Sequence, residues 1–413
     1  MSTPTSPWTI SVRSGAALSG DPYRATSAPL YQTATFAQES PTEFGEFDYT
    51  RTDNPTRQNT EALLAELEGA EHALCYASGM AAIAAVLRLV LPGERVLLGR
   101  DLYGGTQRFA HQHLPGVDIE HVDLGGDEFG RLIELEAALS RGGVRLVLFE
   151  TPSNPRLEIT DIAAVSALAR RYGALVCVDG TAMTPWLQRP LDLGADLVVH
   201  SATKGLAGHG DVTAGVVLTR ASDLAKTLQN KRNADGSALA PFESWLLARG
   251  IRTLGVRLER AQATALELAS ALQSERGLQA VHYPGLQSHA GHALHRSQAS
   301  GAGVLITLEA DSAECAEALI RNVTLFSTAV SFGGVASSIS LPHYMSHASV
   351  PEGAAPRPRK NLIRLSIGLE SAQDLLRDLR SAMGRSGAHA APKQDPKASL
   401  RRGEVGCGPG PVG

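Results

Sequence analysis

Between residues 70 and 220, short apolar runs alternate with stretches of helical periodicity. Arg95–Arg100, Val117–Val122, Val144–Glu150, Leu175–Asp179, Leu197–Ser201 and Gly215–Thr219 have the length and β-branched content of strands. Leu146–Phe149 shows no polar alternation, as expected of a strand buried on both faces. Gly79–Leu91 and Asp161–Tyr172 read as helices, and the alternation predicts a mostly parallel sheet covered on both sides. Upstream, Asn54 is placed to cap a helix opened by Pro55, with Leu63, Leu64 and Leu67 at helical spacing and Gly69 ending the run. Residues 1–50 are rich in Ser, Thr, Pro and Gly, without periodicity, and are expected to form an extended arm.

Beyond residue 220 a long helical pattern from about Phe242 to Ser274 leads into a second unit. There Val304–Leu308 and Ile363–Ile367 read as strands, Ala313–Arg321 and Ala372–Met383 as helices, and Glu352–Asn361 as a loop. The expected organisation is an arm (1–50), a large domain (51–245), a small C-terminal domain (246–383) and a disordered tail (384–413) rich in Gly, Pro and charge.

Composition narrows the classes. With 43% hydrophobic and 19% charged residues, the chain can build a large core. A net charge of −4 lacks the basic footprint of a nucleic-acid protein or a polybasic membrane anchor, so neither partner is expected. The apolar stretch Met80–Leu91 is too short to span a bilayer and contains Arg88. The opening MSTPTSPWTISVRSG lacks the apolar core of a secretory leader. Cys75, Cys177, Cys315 and Cys407 are scattered, with no C-x-x-C pair, which fits a reducing, cytoplasmic location and no thiolate metal site. His289, His292 and His295 have no neighbouring acid or thiol in sequence, so no metal is expected.

Ligands of open parallel sheets bind beyond the carboxyl ends of the strands, so the residues just after each strand are the candidates. Asp179 ends one apolar strand, where a carboxylate calls for a cationic partner. Lys204 closely follows another; a desolvated lysine has a lowered pKa and suits carbonyl chemistry. Ser201 and Thr203 alternate with Ala202, so that both hydroxyls could face one anion. Ser78-Gly79-Met80 turns into a helix whose free N–H groups suit a phosphate. Tyr103, before Gly104 and Gly105, could stack on a flat ring. Each feature alone has an ordinary structural explanation: a helix cap, a snorkelling lysine, a tight turn. Together, an amine, a strand-end carboxylate, a phosphate cradle and a stacking aromatic are what pyridoxal 5'-phosphate requires.

The segments FDYTRTDNPTR, ALCYASGMAA, DLYGGT, ETPSNP, VDGTAMTPWLQRPLDLGADLVVHSATKGLAGH, PFESWLLARGIRTLGVRLER, YPGLQSH and IRLSIGLE together resemble the Cys/Met-metabolism (trans-sulfuration) family of pyridoxal-phosphate-dependent enzymes, over roughly residues 10–383. The resemblance implies the fold of type I pyridoxal-phosphate transferases, aspartate-aminotransferase-like α/β, with a large mostly parallel sheet domain and a smaller C-terminal domain. It implies that Lys204 bonds the cofactor, Asp179 partners the ring nitrogen with Thr181 beside it, and Tyr103 stacks on the ring. Gly79, Met80, Ser201 and Thr203 match phosphate contacts; Tyr49 and Arg51 match a pair reaching the phosphate of a neighbouring subunit. A homodimer with shared sites, assembling into a tetramer, is therefore expected. Arg364 resembles the arginine that clamps the substrate carboxylate by a bidentate fork, with Asn154 and Ser331 nearby.

The pattern also differs from the family's. Gly180 replaces an asparagine, Gly205 follows the lysine where an aromatic is common, and Ala336 stands where cystathionine enzymes often carry an acid. Asp48 and Arg108 match residues of the cystathionine branch, and Gly105 stands where methionine γ-lyases commonly have cysteine. The leading expectation is γ-elimination of cystathionine to cysteine, 2-oxobutanoate and ammonia. Lys204 would remove the Cα proton and Tyr103 would assist as an acid–base group. γ-Replacement of O-acyl-homoserine by cysteine is the alternative. β-Lyase or methionine γ-lyase activity, or a non-catalytic cofactor-binding relative, remain open.

Overall fold

The computed structural model describes residues 5–14, 21, 23–124, 128–348 and 357–386. Part of the expected loop 352–361 and all of the tail from 387 onward lie outside them. The described strands form two sheets. The first contains β1 (His72–Tyr76), β2 (Arg95–Gly99), β3 (Asp118–Val122), β4 (Val144–Glu150), β5 (Leu175–Asp179), β6 (Leu197–His200) and β7 (Gly215–Thr219). Their order across the sheet is β1-β7-β6-β5-β4-β2-β3. All neighbours from β6 to β3 are parallel, while β7 runs antiparallel to both β6 and β1. The mostly parallel α/β architecture expected from the alternating pattern is therefore present, with one reversed strand.

The second sheet contains β8 (Leu278–His282), β9 (Leu305–Ala310), β10 (Ser327–Thr328), β11 (Ser338–Ser340) and β12 (Leu362–Ser366), in the order β10-β11-β12-β9-β8. Helices α1 (Pro7–Arg13), α2 (Pro55–Glu68), α3 (Gly79–Leu87), α4 (Gly104–His113), α5 (Glu128–Ser140), α6 (Ile162–Arg171), α7 (Thr184–Leu187), α8 (Ser222–Asp235), α9 (Pro241–Ile251) and α10 (Leu254–Leu272) precede or flank the first sheet. Helices α11 (His292–Gln298), α12 (Ala313–Asn322) and α13 (Ala372–Ser386) belong to the C-terminal half. No helix among the described residues is long and apolar enough to cross a membrane.

Local chemistry accounts for the helix ends. The Asn54 side chain accepts from Thr56 N, Pro55 occupies the first turn, and Gly69 closes α2 in the left-handed region. Two expectations are corrected. The segment 1–50 is not extended throughout: Ser6 caps α1, whose Trp8 packs edge-on against Trp186 at 4.7 Å. The long pattern Phe242–Ser274 is two helices, not one. The Gly250 carbonyl accepts from Thr253 N at 3.3 Å, the Thr253 hydroxyl at 3.2 Å and the Arg257 guanidinium at 2.8 Å, and the chain turns at Arg252–Thr253.

Separate apolar clusters fill the two faces of the first sheet, and a further one lies under the second sheet, where Leu268, Ile306, Leu365 and Leu379 meet. Because β1 and β6 both pair antiparallel with β7, β1 points the same way as β2 and β4–β6. The carboxyl ends of all these strands therefore share one edge, and the segments leaving it line a common cavity.

Candidate active site

The cavity measures about 360 Å³, and its wall includes Lys204, Asp179, Tyr103, Glu150, Asn154 and Arg364. Gly79, Met80, Arg108, Thr181, Ser201, Thr203 and Ser331 also reach it. Thirteen of the residues singled out from sequence or found on inspection thus converge from elements that are remote in the chain.

The segment after β6 carries Lys204. Its Nζ donates to Ser331 Oγ at 2.7 Å and lies 5.4 Å from the centre of the Phe332 ring. Burial lowers its pKa to about 8; the nearby Arg364 cation adds to the shift and Asp179 opposes it. Arg257 fixes this segment from below, donating to the carbonyls of Gly205 at 2.8 Å and Leu206 at 3.2 Å. Gly208, at φ +75°, makes room for that guanidinium: a Cβ there would sit 1.9 Å from Arg257 Nη1.

Asp179 ends β5, buried. One carboxylate oxygen accepts from Thr181 N at 3.0 Å and from the Thr181 hydroxyl, and Thr181 Oγ1 in turn accepts from Ser201 N at 2.8 Å. Burial raises its pKa, against the lowering effect of the Thr181 hydrogen bonds. No ion pair satisfies it among the described residues. A protonated ring nitrogen is the partner such a carboxylate lacks.

Ser78 caps α3 by accepting from Ala81 N at 3.1 Å, which leaves the first-turn N–H groups of Gly79 and Met80 without helical acceptors. Gly79 lies so close to the β6 segment that a Cβ would fall 2.7 Å from Ser201 Cβ. Tyr103 precedes α4. A Cβ on Gly105 would meet its ring at 2.5 Å and Met80 Sδ at 2.8 Å, so glycine makes room for the ring here. The Thr203 hydroxyl is engaged with the backbone of Ala214 at 2.9 and 3.1 Å.

Arg364, on β12, is 3% exposed. Its Nη1 donates to Asn154 Oδ1 at 3.1 Å and its Nη2 to the Ser331 carbonyl at 2.8 Å, while its Nε has no partner. Burial lowers its pKa to about 10, so it stays a cation near neutrality. A buried guanidinium without a carboxylate is a socket for one. Ser331 bridges both cations from a left-handed backbone, φ +87°, which costs a non-glycine residue about 1–3 kcal/mol. These features (the unpaired Asp179, the depressed lysine, the cradle without a Cβ and the tyrosine ring on the cavity wall) fit pyridoxal phosphate.

Tyr49 and Arg51, expected to reach a neighbouring subunit's phosphate, and Asp48 lie outside this chain's cavity wall. Tyr49 and Arg51 line a separate cavity of about 400 Å³ with Arg57 and Gly236. Arg51 Nη1 donates to Asn233 O at 2.6 Å and its guanidinium faces the Tyr49 ring at 5.4 Å. Asp48 accepts from Tyr49 N at 2.6 Å. The three departures from the family pattern also have a place. Gly180 abuts His200, whose Cε1 would be 2.7 Å from an added Cβ. Gly205 is buried 3.2 Å, by the same measure, from Thr184 Cγ2, and Ala336 is exposed outside the cavity wall. Two site residues were not singled out from sequence. Glu150 is the strand-end residue of β4, detectable by the rule that picks Asp179; Arg257 acts through packing that no local pattern encodes.

Comparison with known proteins gives the same direction. The family model described as Cys/Met metabolism PLP-dependent enzyme matches residues 8–384. The chain is 46% identical over 363 residues to the chloroplastic cystathionine beta-lyase of Arabidopsis thaliana, covering 87% of this chain and 77% of that protein. It is 42% identical over 368 residues to the cystathionine gamma-lyase of Bacillus subtilis, covering 87% and 94%. The crystal structure of cystathionine gamma synthase from Xanthomonas oryzae pv. oryzae, in complex with aminoacrylate and cysteine, superposes with a TM-score of 0.88 at 38% identity, covering 94% of this chain and 100% of that one.

Proposed function

The chain belongs to the Cys/Met metabolism family of pyridoxal-phosphate-dependent enzymes, and from that premise we propose that it is a carbon–sulfur lyase breaking cystathionine on the β side, to homocysteine, pyruvate and ammonia. The observation that carries the reading is Arg364, a buried guanidinium without a carboxylate, facing the cavity that holds the Lys204 amine. The choice of the β side rests on the likeness to the cystathionine beta-lyase. β-Elimination requires one proton to leave the substrate carbons, from Cα, which Lys204, the one lysine lining the cavity among the described residues, would take.

Bound pyridoxal phosphate supplies an aldehyde for a lysine amine and a ring that draws electron density from the substrate's Cα. Lys204 would bond the aldehyde and, once displaced by the substrate amine, take the Cα proton on Nζ. Asp179, oriented by Thr181, would keep the ring nitrogen protonated. The Tyr103 ring would cover one face of the cofactor, and the N–H groups of Gly79 and Met80 with the Ser201 and Thr203 hydroxyls would take the phosphate. Arg364 would hold the substrate carboxylate in place, its guanidinium already fixed by Asn154 and Ser331. Arg108, on the same wall, lies where a distal substrate group would reach.

γ-Elimination uses the same residues and is the second reading, supported by the likeness to the Bacillus subtilis γ-lyase. Cystathionine turnover with the keto acid identified decides between them. Pyruvate with homocysteine is the expected result; 2-oxobutanoate with cysteine establishes the second reading. Turnover confined to O-acyl-homoserine with cysteine overturns both.

The position of Tyr49 and Arg51 outside the Lys204 cavity supports a homodimer in which each supplies the neighbour's phosphate site, assembled further into a tetramer. An active monomer in sedimentation would contradict this. A division into a cofactor-binding unit, 51–245, and a smaller unit, 246–383, is part of the same reading; α9 runs across the boundary. The reduced thiols of Cys75 and Cys177, both buried, suit a cytoplasmic setting.

A further inference from the structure

Glu150 and Asp179 are register partners at the carboxyl ends of β4 and β5. Paired residues on neighbouring strands project from the same face, with backbones about 4.8 Å apart. Both side chains line the cavity and both are buried, at 6% and 7% exposure. Glu150 makes no ion pair among the described residues; its one hydrogen bond accepts the backbone N–H of Tyr103 at 3.2 Å. Asp179, by contrast, is held by the N–H and hydroxyl of Thr181.

Two buried carboxyls on paired strand ends disfavour each other's charge, and the one with fewer donors keeps the proton. The charged and titratable groups facing Glu150 are Asp179 from β5, Asp101 from the segment after β2 and Arg364 from β12. Arg364 is the one cation among them, and its hydrogen bonds go to Asn154 and Ser331 rather than to Glu150. Burial and the two aspartates push the Glu150 pKa well above the carboxylate range.

We propose that Glu150 is a positioning residue carrying the proton of a split carboxyl pair: as a neutral acid it holds the backbone of Tyr103 at the start of α4 and leaves Asp179 as the anion of the cavity floor. The assignment extends the functional reading, since it explains how the cavity would offer one negative charge to a ring nitrogen while also fixing the backbone of Tyr103.

The test compares full-length holoenzyme with E150Q and E150A at pH 7–8. Glutamine keeps the acceptor for Tyr103 N–H and carries no charge; alanine removes the acceptor. Wild type minus E150Q should show the infrared carbonyl band of a protonated carboxylic acid. Cofactor affinity in E150Q should stay within about threefold of wild type, whereas E150A should lose about tenfold, the effect of removing the acceptor of the part-buried Tyr103 N–H. Absence of that band, or an E150Q that loses cofactor as severely as E150A, overturns the proposal; if E150A fails to fold, the band and E150Q decide alone. These readouts need no substrate. A protein that passes them yet fails to cleave cystathionine therefore refutes the substrate reading and leaves this one standing.

Discussion

Replacing Arg257 by methionine tests whether the lysine segment is held by its underside. Arg257 is 7% exposed and forms no ion pair among the described residues. It donates to the carbonyls of Gly205, Leu206 and Gly250 at 2.8, 3.2 and 2.8 Å, and its Nε to Thr253 Oγ1 at 3.1 Å. Burial lowers its pKa to about 10, so at neutral pH these are charge-assisted bonds. Methionine has similar length and no donors. Each buried carbonyl left unpaired costs about 1–3 kcal/mol. Removing a desolvated charge returns several kcal/mol, and the segment relaxes, so the costs do not add fully. The expected net loss is about 2–4 kcal/mol. A chain of 413 residues unfolds with a urea slope at or above about 3 kcal/mol per molar, so the midpoint should fall by about 1 M. Cofactor release should quicken as well, because Gly205 is bonded to Lys204 and loses its anchor. Arg257→Lys, which keeps the charge but offers a point donor instead of a fork, should fall between the two. A methionine variant within about 0.5 kcal/mol of wild type, with unchanged cofactor release, would refute the reasoning; such a change is ordinary for a residue without a structural task.

Capture of pyridoxal phosphate by the cofactor-free chain should be governed by the neutral Lys204 amine, whose fraction grows as pH rises through about 8. The stopped-flow rate should increase about tenfold per unit well below that pH and level off above it; a rate still climbing steeply at pH 10 would mean an ordinary lysine. Gly79→Ala places a Cβ 2.7 Å from Ser201 Cβ and 3.0 Å from its Cα, so the two segments must part: thermal stability without cofactor should fall, and cofactor affinity measured by equilibrium dialysis should drop as well; unchanged affinity would remove Gly79 from the phosphate cradle. Gly250→Ala drives a Cβ to 2.3 Å from the Ala207 carbonyl oxygen, between two backbones that cannot yield cheaply, and should destabilise the chain by about 1–3 kcal/mol in calorimetry. Wild-type stability would contradict the close packing of α9 on the lysine segment.

The strand ends were legible because parallel strands buried on both faces read as unbroken apolar runs, and the first polar residue after such a run marks the edge where ligands bind. β4, β5 and β7 run over the very residues the pattern picks, and Asp179, Lys204 and Tyr103 meet in one cavity. The cap at Asn54 and the stop at Gly69 were legible because both act within a few residues. Contacts across the chain were not. β1 is a single five-residue strand whose pairing partner, β7, lies some 140 residues downstream. The break between α9 and α10 falls where the Gly250 carbonyl is shared by Thr253 and the side chain of Arg257, which sequence periodicity does not register. Arg364 could be named from the motif around it, but its readiness to bind a carboxylate rests on Asn154 and Ser331, 210 and 33 residues away.

The account depends on a covalent bond between Lys204 and the cofactor aldehyde. Freshly isolated protein should be yellow; borohydride reduction followed by peptide mapping should place the pyridoxyl group on Lys204 and on no other lysine. A reduced sample in which the Lys204 peptide is unlabelled, while cofactor is present in the starting material, would contradict it.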